Sequence, residues 1–146
     1  MTACLLDVNF LVALLWPAHE HHARAVSWFQ QNRARGWATC PLTQMGFVRV
    51  VSNPAFSRDA VQPWEAVQVL AANTRDADHV FWPDALPVEE AVGFAGLRLA
   101  GHRQLTDAYL LGLAIRHGGR LATLDRAVLD LTAPDSPERE AVELVS

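Results

Sequence analysis

The chain has no lysine. All 12 of its basic residues are arginines, set against 16 acids, for a net charge of −4. Proteins that hold nucleic acid by non-specific attraction usually carry a basic stripe and a high pI. That class is excluded, and any phosphate recognition must rest on a few placed arginines, whose forked guanidinium suits phosphate, together with bound metal. Cysteine is nearly as scarce. Cys4 and Cys40 lie in apolar runs without CxxC spacing, which excludes a disulfide framework or a thiolate metal site and leaves them as small core residues. Neither GxGxxG nor GxxxxGK[ST] occurs, so no nucleotide cofactor is expected, and without a GxSxG elbow the main pointer to a serine hydrolase is missing. His19, Glu20, His21 and His22 lack the i, i+4 spacing of a helical zinc pair. The apolar N-terminal run has no basic n-region, carries Asp7 in its middle and stops at Trp16-Pro17, well short of a bilayer span. A soluble, cytoplasmic protein without membrane contact is expected.

What is present is enough apolar material for one compact domain over residues 1–146, at 51% hydrophobic. Apolar runs predict a buried strand at Ala3–Leu6 and further strands at Trp37–Cys40, His79–Trp82 and Arg120–Leu124, with a final edge strand at Val142–Val145. Helical spacing predicts helices after Asp7, from Glu20 to Arg33, from a Thr43 cap to Ser52, and from Pro63 to Asn73. Two more follow, from Val88 to Leu99 and, capped by Thr106, from Asp107 to His117. Strands separated by helices imply parallel crossovers, hence an α/β protein with helices on both faces of a mainly parallel sheet. The tryptophans are scattered over different elements, which suits core or subunit contact better than base stacking.

Ligands of such sheets lie beyond the carboxyl ends of the strands. Asp7 and Asp125 directly follow predicted strands, and Asp107 opens a helix whose start points to the same end. Each alone is a good helix cap. Together they form an oxygen-only set suited to Mg²⁺ or Mn²⁺. Two carboxylates about 5 Å apart repel by roughly 3 kcal/mol at an effective dielectric near 20, so a meeting of three calls for a cation.

The segments LLDVNFLVAL, CPLTQMGFVRVVSNP, LTDAYLLGLA and LATLD, in this order and with the HHARAVSWF helix after the first, resemble a PIN-domain ribonuclease. More narrowly, they resemble the VapC-type toxins of bacterial type II toxin–antitoxin systems, and the resemblance spans nearly the whole chain. It implies a three-layer α/β/α sandwich and an Mg²⁺- or Mn²⁺-dependent endoribonuclease acting on RNA of the tRNA or rRNA class. It also implies a homodimer and a cognate VapB-type antitoxin that inserts near the active site. Carried over by position, it makes Asp7, Asp107 and Asp125 the metal ligands, Asn9 and Thr123 accessory polar residues, and Arg49 a residue that orients substrate, supports the acids or forms a structural ion pair. One position departs from the pattern: Gln44 stands where the family usually has glutamate. Glutamine keeps a carbonyl oxygen but loses a charge and cannot act as a general base. Either cleavage survives with weakened metal binding, or the chain is a degenerate module that binds RNA or an antitoxin. A phosphoryl-transfer or receiver-type reading, with Asp7 as nucleophile, has no lysine partner in this chain.

Overall fold

Strand alternation sorts the core of this protein into two halves. In the computed structural model, which describes residues 2–146, the central strand β1 (Cys4–Leu6) sends Cys4 and Leu6 to one side and Leu5 to the other. The flanking strands β2 (Trp37–Thr39) and β4 (Arg120–Thr123) divide likewise, Trp37 and Ala122 packing with Leu6, and Ala38 and Leu121 packing with Leu5. With β3 (His79–Phe81) and β5 (Val142–Leu144) these strands form one sheet in the order β3-β2-β1-β4-β5, parallel at every pairing. The three inner strands, buried on both faces, read as short continuous apolar runs rather than as alternation, whereas the edge strands β3 and β5 are only partly covered.

One layer covers the Leu6 face. It holds α1 (Val8–Leu15), α2 (His22–Asn32), α3 (Pro41–Val51) and α4 (Pro63–Asn73), whose Phe10, Leu11, Ala25, Phe47, Val51, Ala66 and Leu70 enter the core. The Leu5 face is covered by α5 (Val88–Val92), α6 (Leu105–Arg116) and a 3₁₀ segment (Arg126–Leu131), which contribute Ala91, Leu110, Leu111, Leu113 and Val128. The fold is therefore the three-layer α/β/α sandwich. Burying each large side chain contributes about 1.5–3 kcal/mol, so these two half-cores hold the sheet's carboxyl edge in place. Two glycines permit close approaches: a Cβ at Gly46 would lie 2.5 Å from Val8 Cγ2, and one at Gly112 would lie 1.9 Å from the Ala91 carbonyl oxygen.

Several expected boundaries shift for identifiable reasons. Helix α3 starts at Pro41, not at a Thr43 cap; Cys40 occupies the cap position, and its N–H donates to Thr43 Oγ1 at 3.0 Å. The helix expected from Val88 to Leu99 ends at Val92, and its remainder becomes turns and a 3₁₀ segment in which Gly96 adopts φ +53°. Thr106 does not cap α6, because a 3₁₀ turn at His102–Gln104 precedes it and the helix already runs from Leu105. Gln104 Oε1 accepts the N–H groups of Ala100 and Gly101 at 2.8 and 2.9 Å, so that turn supplies its own capping. Both cysteines are free and buried, as their surroundings imply. Trp37 and Trp82 are core residues, whereas Trp64 is 68% exposed. Among the described residues no helix is long and apolar enough to cross a membrane.

Candidate active site

The register Leu6↔Ala122 sets the carboxyl ends of β1 and β4 side by side. Asp7 comes next on one chain segment, and its N–H continues the ladder to the Ala122 carbonyl at 3.1 Å. The Asp7 carboxylate turns inward, 3% exposed, and its Oδ1 accepts the Phe10 N–H at 2.7 Å, capping α1. It also takes a hydrogen bond from the hydroxyl of Thr123, the fully buried last residue of β4. The same Thr123 oxygen accepts the Asp125 N–H at 3.0 Å. One hydroxyl thus ties together the segments that carry two of the acids. Asp125 itself is exposed and caps the 3₁₀ segment, accepting the Ala127 N–H at 2.9 Å. Asp107 lies half-buried in the first turn of α6.

These acids feel one another. Burial pushes Asp7 up to about 7; the Thr123 and Phe10 hydrogen bonds oppose the rise, and the charges of Asp107 and Asp125 add to it. Asp107 is also held above the ordinary carboxylate range, by burial first and by Asp125 second. Two neighbouring acids whose ionisation is disfavoured by desolvation and like charge form the environment that a cation relieves. The donor set is all oxygen, which suits a hard divalent ion, so its chemistry fits Mg²⁺ or Mn²⁺. In geometry the acids stand apart: among the described residues no three His, Cys, Asp or Glu side chains are gathered closely enough to hold an ion.

Gln44 lies on α3, which starts from the carboxyl end of the neighbouring strand β2. Its Nε2 donates to Thr39 Oγ1 at 3.0 Å, and that hydroxyl meets His79 Nε2 at 2.7 Å. Among the described residues Gln44 makes no hydrogen bond to Asp7, Asp107 or Asp125. Asn9 is exposed on the first turn of α1. Arg49 is exposed one turn beyond Gln44, and among the described residues it forms no ion pair, so the structural pairing open to it in the sequence does not occur. It lines a groove of about 410 Å³ with Gln44, Met45, Val48, Val67 and Leu70, between α3 and α4. Thr39 and His79 escaped the sequence reading. The available signal was a threonine closing an otherwise apolar strand and a histidine opening the next one, but only the β2–β3 register shows that they meet.

A parallel sheet in this strand order, with acids set along its carboxyl edge, is the arrangement of a PIN-type protein. The PIN domain family model matches residues 4–133, and the chain belongs to the PIN-domain family. Within that family it is of the VapC type. It is 50% identical over 132 residues to ribonuclease VapC39 of Mycobacterium tuberculosis, covering 89% of this chain and 93% of that protein. Over 128 residues it is 48% identical to ribonuclease VapC38 of the same organism, covering 87% and 88% of the two chains. Similarity to ribonuclease VapC44 is 38% over 140 residues, covering 96% and 98%.

Proposed function

We propose that this protein is a metal-dependent endoribonuclease toxin that hydrolyses RNA phosphodiester bonds. The observation that carries the reading is the buried Asp7, joined through Thr123 to the Asp125 segment and electrostatically coupled to Asp107, at the sheet edge where α/β proteins act. The names of the relatives, all ribonucleases, supply the substrate class.

Asp7, Asp107 and Asp125 would hold one or two divalent ions. Bound there, Mg²⁺ or Mn²⁺ would neutralise the acids, make an attacking water more acidic and offset the charge that develops on the phosphoryl group during in-line displacement. The protein's own residues do the rest. The Phe10 amide and the Thr123 hydroxyl fix the Asp7 carboxylate from two directions, so it does not reorganise as charge develops. Asp125, exposed and capped by the Ala127 amide, is the acid with freedom to take a proton from the attacking water. Asn9 and Arg49 are exposed polar groups available to a flexible backbone, which favours single-stranded or loop RNA of the tRNA or rRNA class. We further read residues 1–146 as one domain that works as a cytoplasmic homodimer restrained by a VapB-type antitoxin. The test is cleavage of a mixed tRNA and rRNA pool in Mn²⁺ and in chelator; an Asp7→Asn protein that cuts as fast as wild type defeats this reading.

A second reading is supported by the engagement of Gln44 with Thr39 rather than with the acids: a weakened PIN-fold module that binds RNA or an antitoxin without cutting. Gln44→Glu separates the two. Metal-dependent cleavage that is absent from the wild type and gained by the variant favours the module.

A further inference from the structure

Another cavity, of about 420 Å³, opens on the same edge of the sheet as the acids. Leu42 lines it from the first turn of α3, two residues before Gln44, and Leu105 and Thr106 line it from the first turn of α6, just ahead of Asp107. The segment that leaves β3 supplies Asp84, Leu86 and Val88; the Trp82 N–H donates to the Thr39 carbonyl at 2.9 Å, which fixes that segment's exit at the carboxyl edge. Most of the lining is apolar, and Val88 and Leu105 are 55% and 45% exposed, so a flat ligand seated here would take both out of water. Apart from the Thr106 hydroxyl, the polar groups are acceptors. Tyr109 spends its only hydroxyl hydrogen on the Leu86 carbonyl at 2.8 Å. Asp84 is exposed and, among the described residues, forms no ion pair. Burial first, and the Asp84 charge with it, holds the Tyr109 hydroxyl and the Cys40 thiol above their ordinary ranges, so the carboxylate is felt on the cavity's side. No arginine or histidine lines the cavity, which leaves a phosphate without a partner there.

A carboxylate beside an RNA-cutting site repels the backbone unless hydrogen-bond donors meet it. The flat donors that single-stranded RNA offers are its base edges, read on their Watson–Crick side. A carboxylate has two acceptor oxygens and no hydrogen, so it asks for two donors side by side. Guanine alone has them, in N1–H and the N2 amino group. Adenine and cytosine set an acceptor nitrogen beside their amino group, and uracil flanks its one N–H with carbonyls. We propose that this cavity binds an unpaired guanine neighbouring the cut, with the two Asp84 oxygens accepting from N1–H and N2–H while Leu105 and Val88 pack on the ring. Asp84 is thus a specificity-determining residue. Its role in cleavage rests on the nuclease reading above, whereas the binding of guanine does not.

The test begins in chelator, where nothing is cut. Uridine hexamers carrying one guanosine, inosine or adenosine are titrated against the intact protein by fluorescence anisotropy. Wild type is expected to hold the guanosine hexamer about tenfold more tightly than the inosine hexamer, which lacks only the N2 amino group, the scale of one hydrogen bond to a charged acceptor. Equal affinities, or no binding, overturn the proposal. So does occupation by an arginine of a protein partner, which a carboxylate also grips in a fork but which brings no base preference. Asp84→Asn sets an amide N–H beside an oxygen, the complement of adenine, and is expected to lose the guanosine–inosine difference and to favour adenosine. A variant that still prefers guanosine overturns the role of Asp84. In Mn²⁺, wild type is expected to cut mixed-sequence RNA with guanine at one fixed position from the break, and Asp84→Asn to relax that position; cuts without such a guanine overturn the link to cleavage. Should the wild type cleave nothing, the nuclease reading fails, and the titrations in chelator still decide the guanine site.

Discussion

Asp7→Asn changes one atom type in the floor of the site and converts the electrostatic argument into a stability measurement. Asp7 is pushed from an ordinary 3.8 to about 7, so the folded chain retains a proton that the unfolded chain has released. A raised carboxyl contributes most below its unfolded value; between pH 4 and 7 the unfolded state binds fewer protons, so stability must fall as pH rises. Over the whole interval the loss amounts to about 4 kcal/mol, of which roughly 2.5 kcal/mol falls between pH 5 and pH 8. Asparagine is as good a helix cap as aspartate and keeps an oxygen for the Phe10 amide, but it carries no charge to desolvate. It does disturb the Thr123 hydroxyl, which already accepts from the Asp125 N–H, at a cost of about 1 kcal/mol that is independent of pH. Urea titrations of wild type and Asp7→Asn in chelator, at pH 5, 6, 7 and 8, therefore have a defined expected pattern. The difference between the two proteins should move by roughly 2.5 kcal/mol in favour of the variant as pH rises, since titrations not coupled to Asp7 cancel in the subtraction. A difference that stays flat across this range refutes the claim that Asp7 is buried against its own charge. Saturating Mn²⁺ should stabilise the wild type and leave Asp7→Asn nearly unmoved.

Other outcomes follow from the same geometry. At pH 7 Asp7 holds about half a proton, so Mn²⁺ binding should release it; calorimetry in two buffers of different ionisation heat should differ, and identical heats count against ionisation on binding. Gly112→Ala should lower stability by about 3 kcal/mol in urea, because its Cβ would meet the Ala91 carbonyl oxygen of α5 at 1.9 Å and backbone cannot yield as a side chain does. Arg139→Ala should cost about 2 kcal/mol and speed hydrogen exchange at the Thr132 amide, since Arg139 bonds Thr132 Oγ1 at 2.9 Å and the Leu129 and Thr132 carbonyls at 2.8 and 3.2 Å.

Local signals carried far in this chain. Pro63 at the first helical position and the apolar spacing after it gave α4 its observed bounds, and each of the five strands lay within a residue or two of its apolar run. The placement of Asp7 and Asp125 was legible for the same reason: an aspartate one or two residues past a buried strand lies at the carboxyl edge of a parallel sheet. Failures came where a competing partner was distant or unusual. Thr43 and Thr106 look like caps, but Cys40 and the Gln104 turn take over those tasks, and a cysteine cap has little sequence signature. Gln44 bonds Thr39 five residues back, a choice among several local partners, and nothing local could reveal that His79, 40 residues beyond Thr39, would meet the same hydroxyl. The second contact exists only because β2 lies beside β3 in one register.

The Asp7 carboxylate both caps α1 and forms part of the proposed cation site, and the two tasks share a pair of oxygens. When it carries a proton, Phe10 donates its N–H to a neutral group; when it ionises, that bond becomes charge-assisted and the helix gains an anion at its positive end. The first turn of α1 is therefore a gauge of the site. An amide resonance at Phe10 reads the charge on Asp7 from inside the core, out of reach of solvent, substrate and buffer, and it distinguishes a loaded protein from an empty one before any RNA is added.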